Sequence, residues 1–400
     1  MTARWALFAG LLAAHGLAFM AMRRLPWPAA SERRAGGLRA DGTAAVMVVV
    51  GVTVLGAMLR LNALDAGLWY DEIQTLIDYA RLPFARIITT YDSTNQHLLY
   101  SIAAHASMNV FGESAWALRL PAVVFGVASL PAAYAFSRRL APPVEAALVT
   151  ALLAVSYHHV WFSQNARGYT GLLLFTLLGT GWFLDLLRGE GRPRRTVLAY
   201  AAAMALATFT HVTAALIVLA HALVWVAGTV VPRKDGRSRA SWWPPLLALV
   251  LAGTLSLLLY APVLAQVVHT VLHPRAAGAP TAIEAQWKHP AWFVAETVRG
   301  LALGLPGGWV TLVIGAVLIV AGVARIWLTS PAAVGLMLLP CLLTGGVLLA
   351  MHHNLWPRFF FFASGFLVLI AVRGGFALAQ RLWPARGAAL ATAGGTLGAL

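Results

Sequence analysis

Asp71 and Glu72 stand side by side in Leu68-Trp69-Tyr70-Asp71-Glu72-Ile73-Gln74, shortly after an apolar run that ends near Leu61. Adjacent carboxylates at the mouth of a membrane span are costly unless they face water or have a task. They are also the side chains that acid/base work requires. Five further polar clusters punctuate the chain: Asp92 to His97, His158 to Tyr169, Thr210-His211, Gln266 to Arg299 and His352 to Arg358. Together they mix acids, imidazoles, arginines and aromatics rather than the Ser and Gly of plain connectors. Asp92 is a candidate second acid, for an acceptor or a metal. His97 and His211 are candidate ligands for a donor or an acceptor. The pairs His158-His159 and His352-His353 invite a zinc reading. Neighbouring side chains on a helix diverge, however, and a closed metal site needs several convergent ligands. No metal site is assigned.

These clusters are held by a very apolar chain. Of 400 residues, 60% are hydrophobic and 11% charged, against roughly 25% charged in a soluble domain. That excludes a single water-soluble core and marks an all-α polytopic membrane protein. The net charge of +15 would suggest nucleic acid in a soluble protein. Here it reflects basic cytoplasmic connectors, and no nucleic-acid partner is expected. The single cysteine, Cys341, lies in an apolar run and reads as a buried small side chain.

A span needs about 20 apolar residues. On that rule about twelve transmembrane helices fall near 5–22, 43–60, 117–137, 144–162, 169–187, 197–210, 212–231, 243–265, 307–326, 331–350, 357–380 and 387–400. The first is followed by Arg23-Arg24 rather than a small-residue cleavage site, so it reads as a true span with its N-terminus outside. The clustered arginines then fall in inner connectors: Arg23-Arg24, Arg138-Arg139, Arg188 to Arg195, and Arg233 to Arg239. All six polar clusters fall on the outer face. The expected home is a bacterial inner or plasma membrane, with the site facing the periplasm or exterior. The segment 61–116 is a large first extracytoplasmic loop. Within it, Glu72 to Ile88 and His97 to Val110 read as amphipathic helices lying apolar face down on the membrane, with a break at Pro83. Trp69, Tyr70, Trp161, Tyr169, Trp287 and Trp292 suit an interfacial aromatic belt first and sugar stacking second. The segment Val267 to Arg299 is expected to lid the site and touch the acceptor.

Four stretches occur in a telling order. They are Leu68-Trp69-Tyr70-Asp71-Glu72; Asn95-Gln96-His97-Leu98-Leu99-Tyr100; Ala117-Leu118-Arg119-Leu120-Pro121-Ala122; and Ser156 to Tyr169, which contains Gln164-Asn165-Ala166-Arg167. Together they resemble the GT-C membrane glycosyltransferases, in particular the bacterial branch related to protein O-mannosyltransferases and the lipid A aminoarabinose transferase. The resemblance is strongest from Ala57 to Leu187 and thinner through Thr210-His211 and Trp356-Pro357-Arg358. The chain departs from the family pattern at Asn165, where a Glu is common, at the Pro-less Gln96-His97-Leu98, and at Arg358-Phe359 in place of Arg-Tyr.

What the resemblance implies is a GT-C-like bundle that moves a sugar from a polyprenyl-phosphate donor to a hydroxyl acceptor on the outer face, with inversion. The acceptor is a protein, a glycolipid or a polysaccharide. Asp71 matches the first acid of the family motif and takes the role of base. Glu72 orients the acceptor, caps the helix it opens, or holds a cation. Arg167 and Arg358 are the candidates for the donor phosphate, which a guanidinium grips with two parallel bonds. Asp92, His97, Tyr169 and His211 complete the substrate-binding set. No cofactor is required by the sequence, and a divalent cation is left open. The expected division is 1–42, an extra helix and basic loop; 43–231, the catalytic module with loop 61–116; and 232–400, further helices with outer loop 266–299. A transporter or flippase is the main rival, and a non-catalytic scaffold subunit the second. A transporter should carry charges mid-span along a pathway.

Overall fold

The computed structural model describes residues 3–30, 41–230, 241–273, 286–304 and 307–382, and its elements there are helices. In order they are α1 (Ala3–Ala21), α2 (Gly42–Leu61), α3 (Tyr70–Gln74, running on as a π turn over Thr75–Ala80), α4 (Phe84–Ile87) and α5 (Leu98–Phe111). Then come α6 (Ala115–Ser137), α7 (Pro143–Val155), α8 (Tyr157–Ser163), α9 (Tyr169–Arg188), α10 (Pro193–Thr210) and α11 (Ala214–Val230). The chain continues with α12 (Trp243–Tyr260), α13 (Leu264–Leu272), α14 (Pro290–Gly304), α15 (Gly308–Thr329), α16 (Pro331–Ala350) and α17 (Pro357–Leu382, opening as a 3-10 helix). Among the described residues, eight helices are long and apolar enough to cross a bilayer, or nine with the bent pair α7–α8. This is an integral multi-pass membrane protein. The count of twelve spans is not reached there, and the span expected at 387–400 lies outside the described residues.

Helix α9 is the axis of the bundle. Leu173, Leu177, Phe183 and Leu184 on it are buried with Tyr200 and Met204 of α10 and Phe366 of α17. Close helix approach depends on small residues. A Cβ on Gly322 would fall 1.8 Å from the carbonyl oxygen of Ile370, and one on Gly374 would fall 1.9 Å from that of Leu318, so α15 and α17 touch backbone to backbone. Charges packed between the helices are paired: Arg138 with Asp41 at 2.6 Å, Arg139 with Asp185 at 2.9 Å and Arg373 with Glu145 at 2.8 Å.

Three expectations are corrected. First, the run 144–162 is two helices bent by 59° at Ser156. Ser156 is extended and caps α8 by accepting from His159 N–H. The break frees carbonyls at the end of α7, and Arg60 donates to two of them, Ala154 O at 2.9 Å and Leu153 O at 3.3 Å. Second, the segment from Glu72 to Ile88 breaks at Pro83 as expected, but it is not α-helical up to that break. The π turn widens it, and Pro83 stops it and starts α4. Third, the inner face of α5 packs on protein. Tyr100 Oη donates to Leu118 O and Ser107 Oγ to Ala117 O, both at 2.7 Å. In addition, α12 ends at Tyr260, just ahead of Pro262, and α13 follows as a separate helix.

Candidate active site

The site begins with the ends of helices. Glu72 is fully buried and spends both oxygens on anchoring. Oε2 accepts from Trp69 N–H at 3.0 Å, which caps α3. Arg119 on α6 grips the same carboxylate with Nε at 2.8 Å and Nη2 at 2.7 Å. The rest of that guanidinium holds the carbonyls of Leu64, Ala66 and Gly67, fixing the chain that leads into α3. Glu72 Oε1 also accepts from Ala166 N–H at 2.7 Å, tying α3 to the loop before α9. Of the roles open to Glu72, its geometry is that of cap and anchor, since no lone-pair direction remains for an acceptor.

Asp71, one residue earlier, points elsewhere. Its Oδ2 accepts from Arg358 Nη1 at 2.7 Å, with about a quarter of the Asp71 side chain and a third of Arg358 exposed. Arg358 lies 4.9 Å above the ring of Trp356. Trp287 and Trp292 pack on that ring at 5.0 and 5.3 Å, and Leu355 N–H donates to Trp287 O at 2.8 Å. The described part of the expected lid therefore reaches the mouth of the site, while residues 274–285 lie outside the described residues.

Behind Arg358 sits a buried cluster. Arg167 donates to Asn95 Oδ1 and to Thr75 Oγ1, and its Cζ lies 5.8 Å from the ring of Tyr169. His97 and His211 lie 4.8 Å apart, each against Tyr169 at 5.3 and 5.9 Å. Gly168 N–H donates to His97 Nδ1 at 2.8 Å, which places the proton of the neutral ring on Nε2. That nitrogen faces Arg167 Nη2 at 3.2 Å, donor against donor. His211 Nδ1 meets Thr213 Oγ1 at 2.7 Å and Thr213 N–H at 3.4 Å, and a hydroxyl can give or take the proton there. Burial first, then the charge of Arg167, hold His97 well below its usual range and His211 down to about 3. Both rings are thus neutral, and His97 presents Nε2–H as a donor. Three more buried donors find no acceptor: Arg167 Nε, Arg358 Nε and Tyr169 Oη.

Asp92 is exposed and makes no hydrogen bond with this cluster. Its segment is pinned instead through Gln266, which accepts from Tyr91 N–H and donates to Thr89 O. His159 and His158 diverge as expected: His159 is buried against Arg60 and Ser129, and His158 lies beside Gly300. Among the described residues no three His, Cys, Asp or Glu side chains converge to hold a metal ion. Sequence reading gave no role to Arg119, Asn95 or Arg60. The signal for Arg119 was available, as a charge within an otherwise apolar helix.

Residues 96–265 match the family model described as dolichyl-phosphate-mannose-protein mannosyltransferase, a stretch that takes in His97, Arg167, Tyr169 and His211. No curated protein matches the chain. ArnT from Cupriavidus metallidurans in the apo state superposes with a TM-score of 0.54 at 14% identity, over 85% of this chain and 61% of that one. The same protein bound to undecaprenyl phosphate gives 0.52 at 15% identity, over 84% and 60%. The chain has the GT-C fold. It spans about 61% of the length of the ArnT that it matches. The protein O-mannosyltransferase Pmt1-Pmt2 complex of S. cerevisiae, bound to its sugar donor, aligns more loosely, at a TM-score of 0.40 and 14% identity over 66% of this chain and 37% of that one. Within the GT-C bundle, side chains from all four motif stretches meet. Glu72 comes from the first, Asn95 and His97 from the second, Arg119 from the third, and Arg167 and Tyr169 from the fourth.

Proposed function

We propose that this protein is an inverting glycosyltransferase that moves a sugar from a polyprenyl-phosphate donor to a hydroxyl acceptor on the extracytoplasmic face. The observation that carries the reading is the surplus of donors. Arg167 Nε, Arg358 Nε and Tyr169 Oη find no acceptor, and His97 Nε2–H faces Arg167 rather than an acceptor. Buried donors left without acceptors are costly, and an anion with several oxygens is the ligand that would satisfy them. A phosphate leaving group also needs positive charge where negative charge develops.

Among the described residues, the carboxylate that meets an arginine of this set and keeps one oxygen unbonded is Asp71. In the proposed step the acceptor O–H gives its proton to Asp71 as its oxygen bonds the anomeric carbon. The bond from that carbon to the phosphate oxygen breaks on the opposite face, and the electron pair leaves with the lipid phosphate. Arg358 meets the phosphate at the mouth and Arg167 stabilises it from behind. His97, His211 and Tyr169 donate to it or to the sugar. Glu72 positions the helix, and Asp92 is left to acceptor recognition at the exposed edge. In this division the module 43–231 supplies all of these groups except Arg358, which comes from 232–400. The acceptor is a protein, a glycolipid or a polysaccharide, read by the outer loops or a partner. The family-model match and the undecaprenyl phosphate bound to the similar ArnT support the choice of a lipid phosphate donor.

The test is donor consumption by purified protein over a panel of polyprenyl-phosphate sugars, with and without chelator. Release of polyprenyl phosphate together with inverted anomeric configuration in the product supports the reading. Retention of configuration, or movement of the intact lipid-linked sugar across a vesicle membrane without cleavage, overturns it in favour of a double displacement or a flippase.

A further inference from the structure

Among the described residues three arginines are buried: Arg60, Arg119 and Arg167. They are treated differently. Arg119 is neutralised by Glu72. Arg60 meets no carboxylate among the described residues, but every N–H is used. Nε donates to Ser163 Oγ, Nη1 to Gly56 O and Ala154 O, and Nη2 to Leu153 O and His159 Nδ1. Arg167 also meets no carboxylate, and its Nε stays unused. It is the one buried guanidinium of the three with both its charge and a donor to spare.

What holds Arg167 in place is a neutral amide. Asn95 Oδ1 accepts from Arg167 Nη2, and Asn95 Nδ2 donates to Gln74 Oε1. Gln74 ends α3, the helix that opens beside Asp71. A second tie runs the same way, because Thr75 Oγ1 accepts from Arg167 Nη1 and donates to Asp71 O. The guanidinium and the helix of the proposed base are therefore one hydrogen-bonded unit, with Asn95 as its main link. An Asp at this position would fill the same space and accept the same bond, but it would cancel the charge. Arg119, Arg138, Arg139 and Arg373 are held by carboxylates, Glu72, Asp41, Asp185 and Glu145, whereas Arg60 and Arg167 are held by neutral groups.

We propose that Asn95 is a positioning residue for the reaction: it fixes Arg167 against the base-bearing helix through a neutral acceptor, so that the full charge of Arg167 stays available to a phosphate. The inference rests on the phosphate reading above. It acts through Arg167 and needs no contact between Asn95 and substrate.

Binding of undecaprenyl phosphate to the purified full chain in detergent tests it, with wild type beside N95D and N95A, and thermal midpoints recorded for each. N95D is expected to raise the dissociation constant at least about tenfold while the midpoint holds, because a paired guanidinium attracts an anion less. Gln74 keeps its bond in N95D by turning its amide. N95A loses the link and should weaken binding by less than N95D. A purely structural role for Asn95 predicts the reverse order, with N95D close to wild type and N95A worst, and that result overturns the inference. Failure of N95D to fold overturns it too, since an Asp–Arg pair should hold the loop at least as firmly. If wild type itself does not bind undecaprenyl phosphate, the phosphate reading falls, and the role of Asn95 falls with it.

Discussion

Arg358 Nη1 donates to Asp71 Oδ2 at 2.7 Å, across 287 residues of sequence. The group assigned to the phosphate and the group assigned to the proton are each other's partner. Only one carboxylate oxygen is taken, and Arg358 Nε stays unpartnered. A phosphate that engages this arginine must therefore act next to the base, which places both ends of the displacement at one ion pair.

The pair is partly exposed, and exposed pairs add about 0–1 kcal/mol to stability. R358A should therefore leave the thermal midpoint of the purified protein nearly unchanged. Loss of a donor aimed at developing negative charge costs roughly 10²–10³ in rate. Parallel unfolding and transfer assays check this, and an R358A protein of full activity would remove Arg358 from the site.

Glu72 should behave in the opposite way. It is buried and paired with Arg119, and removing one member of such a pair costs about 3–5 kcal/mol by stranding the other charge. E72A is expected to lower the thermal midpoint sharply or to fail to accumulate, whereas D71N leaves stability intact. Similar midpoints for the two variants would contradict the anchoring role.

Gly168 is required for a close approach. A Cβ there would sit 2.6 Å from His97 Nδ1 and 2.7 Å from Thr210 Cγ2. G168A should displace the His97 ring and break its bond to the backbone N–H. A shift of about 1 Å at such a centre can cost about 10²-fold in rate. Donor KM and kcat measured on the folded variant give the answer, and unchanged values would place His97 outside the site.

The neutral histidines predict an acid limb. The folded values of His97 and His211 lie below the ordinary 6.5, with His211 at about 3. Above the unfolded value both states are neutral and stability does not depend on these rings. Below it the unfolded chain takes up protons that the folded site refuses. Stability should then fall as pH drops from 6.5 toward the folded values, by up to about 1.4 kcal/mol per pH unit per ring. Thermal midpoints from pH 8 to pH 5 should be flat and then decline, with a shallower decline in H211N. A decline that starts well above pH 7 would point to other groups.

Much of this was legible in the sequence because polar residues stand out against apolar helices. Asp71, His97, Arg167 and Arg358 could be singled out. What was not legible depends on partners far apart in the chain. The local mark of the break at Ser156 is only the Ser cap itself, with neither Pro nor Gly beside it, and the bend is held by Arg60, about a hundred residues earlier. The role of Glu72 as an anchor depends on Arg119, 47 residues away. Asn95 looked like a member of a motif, and only the fold shows that it joins α3 to Arg167.

The most direct measurement is single-turnover sugar transfer by D71N beside wild type, with a donor that wild type consumes. Loss of a positioned base should slow the chemical step by about 10²–10⁴, with donor binding retained because Arg167, Arg358 and the two imidazoles remain. A D71N protein that transfers sugar at the wild-type rate would contradict the account at its centre.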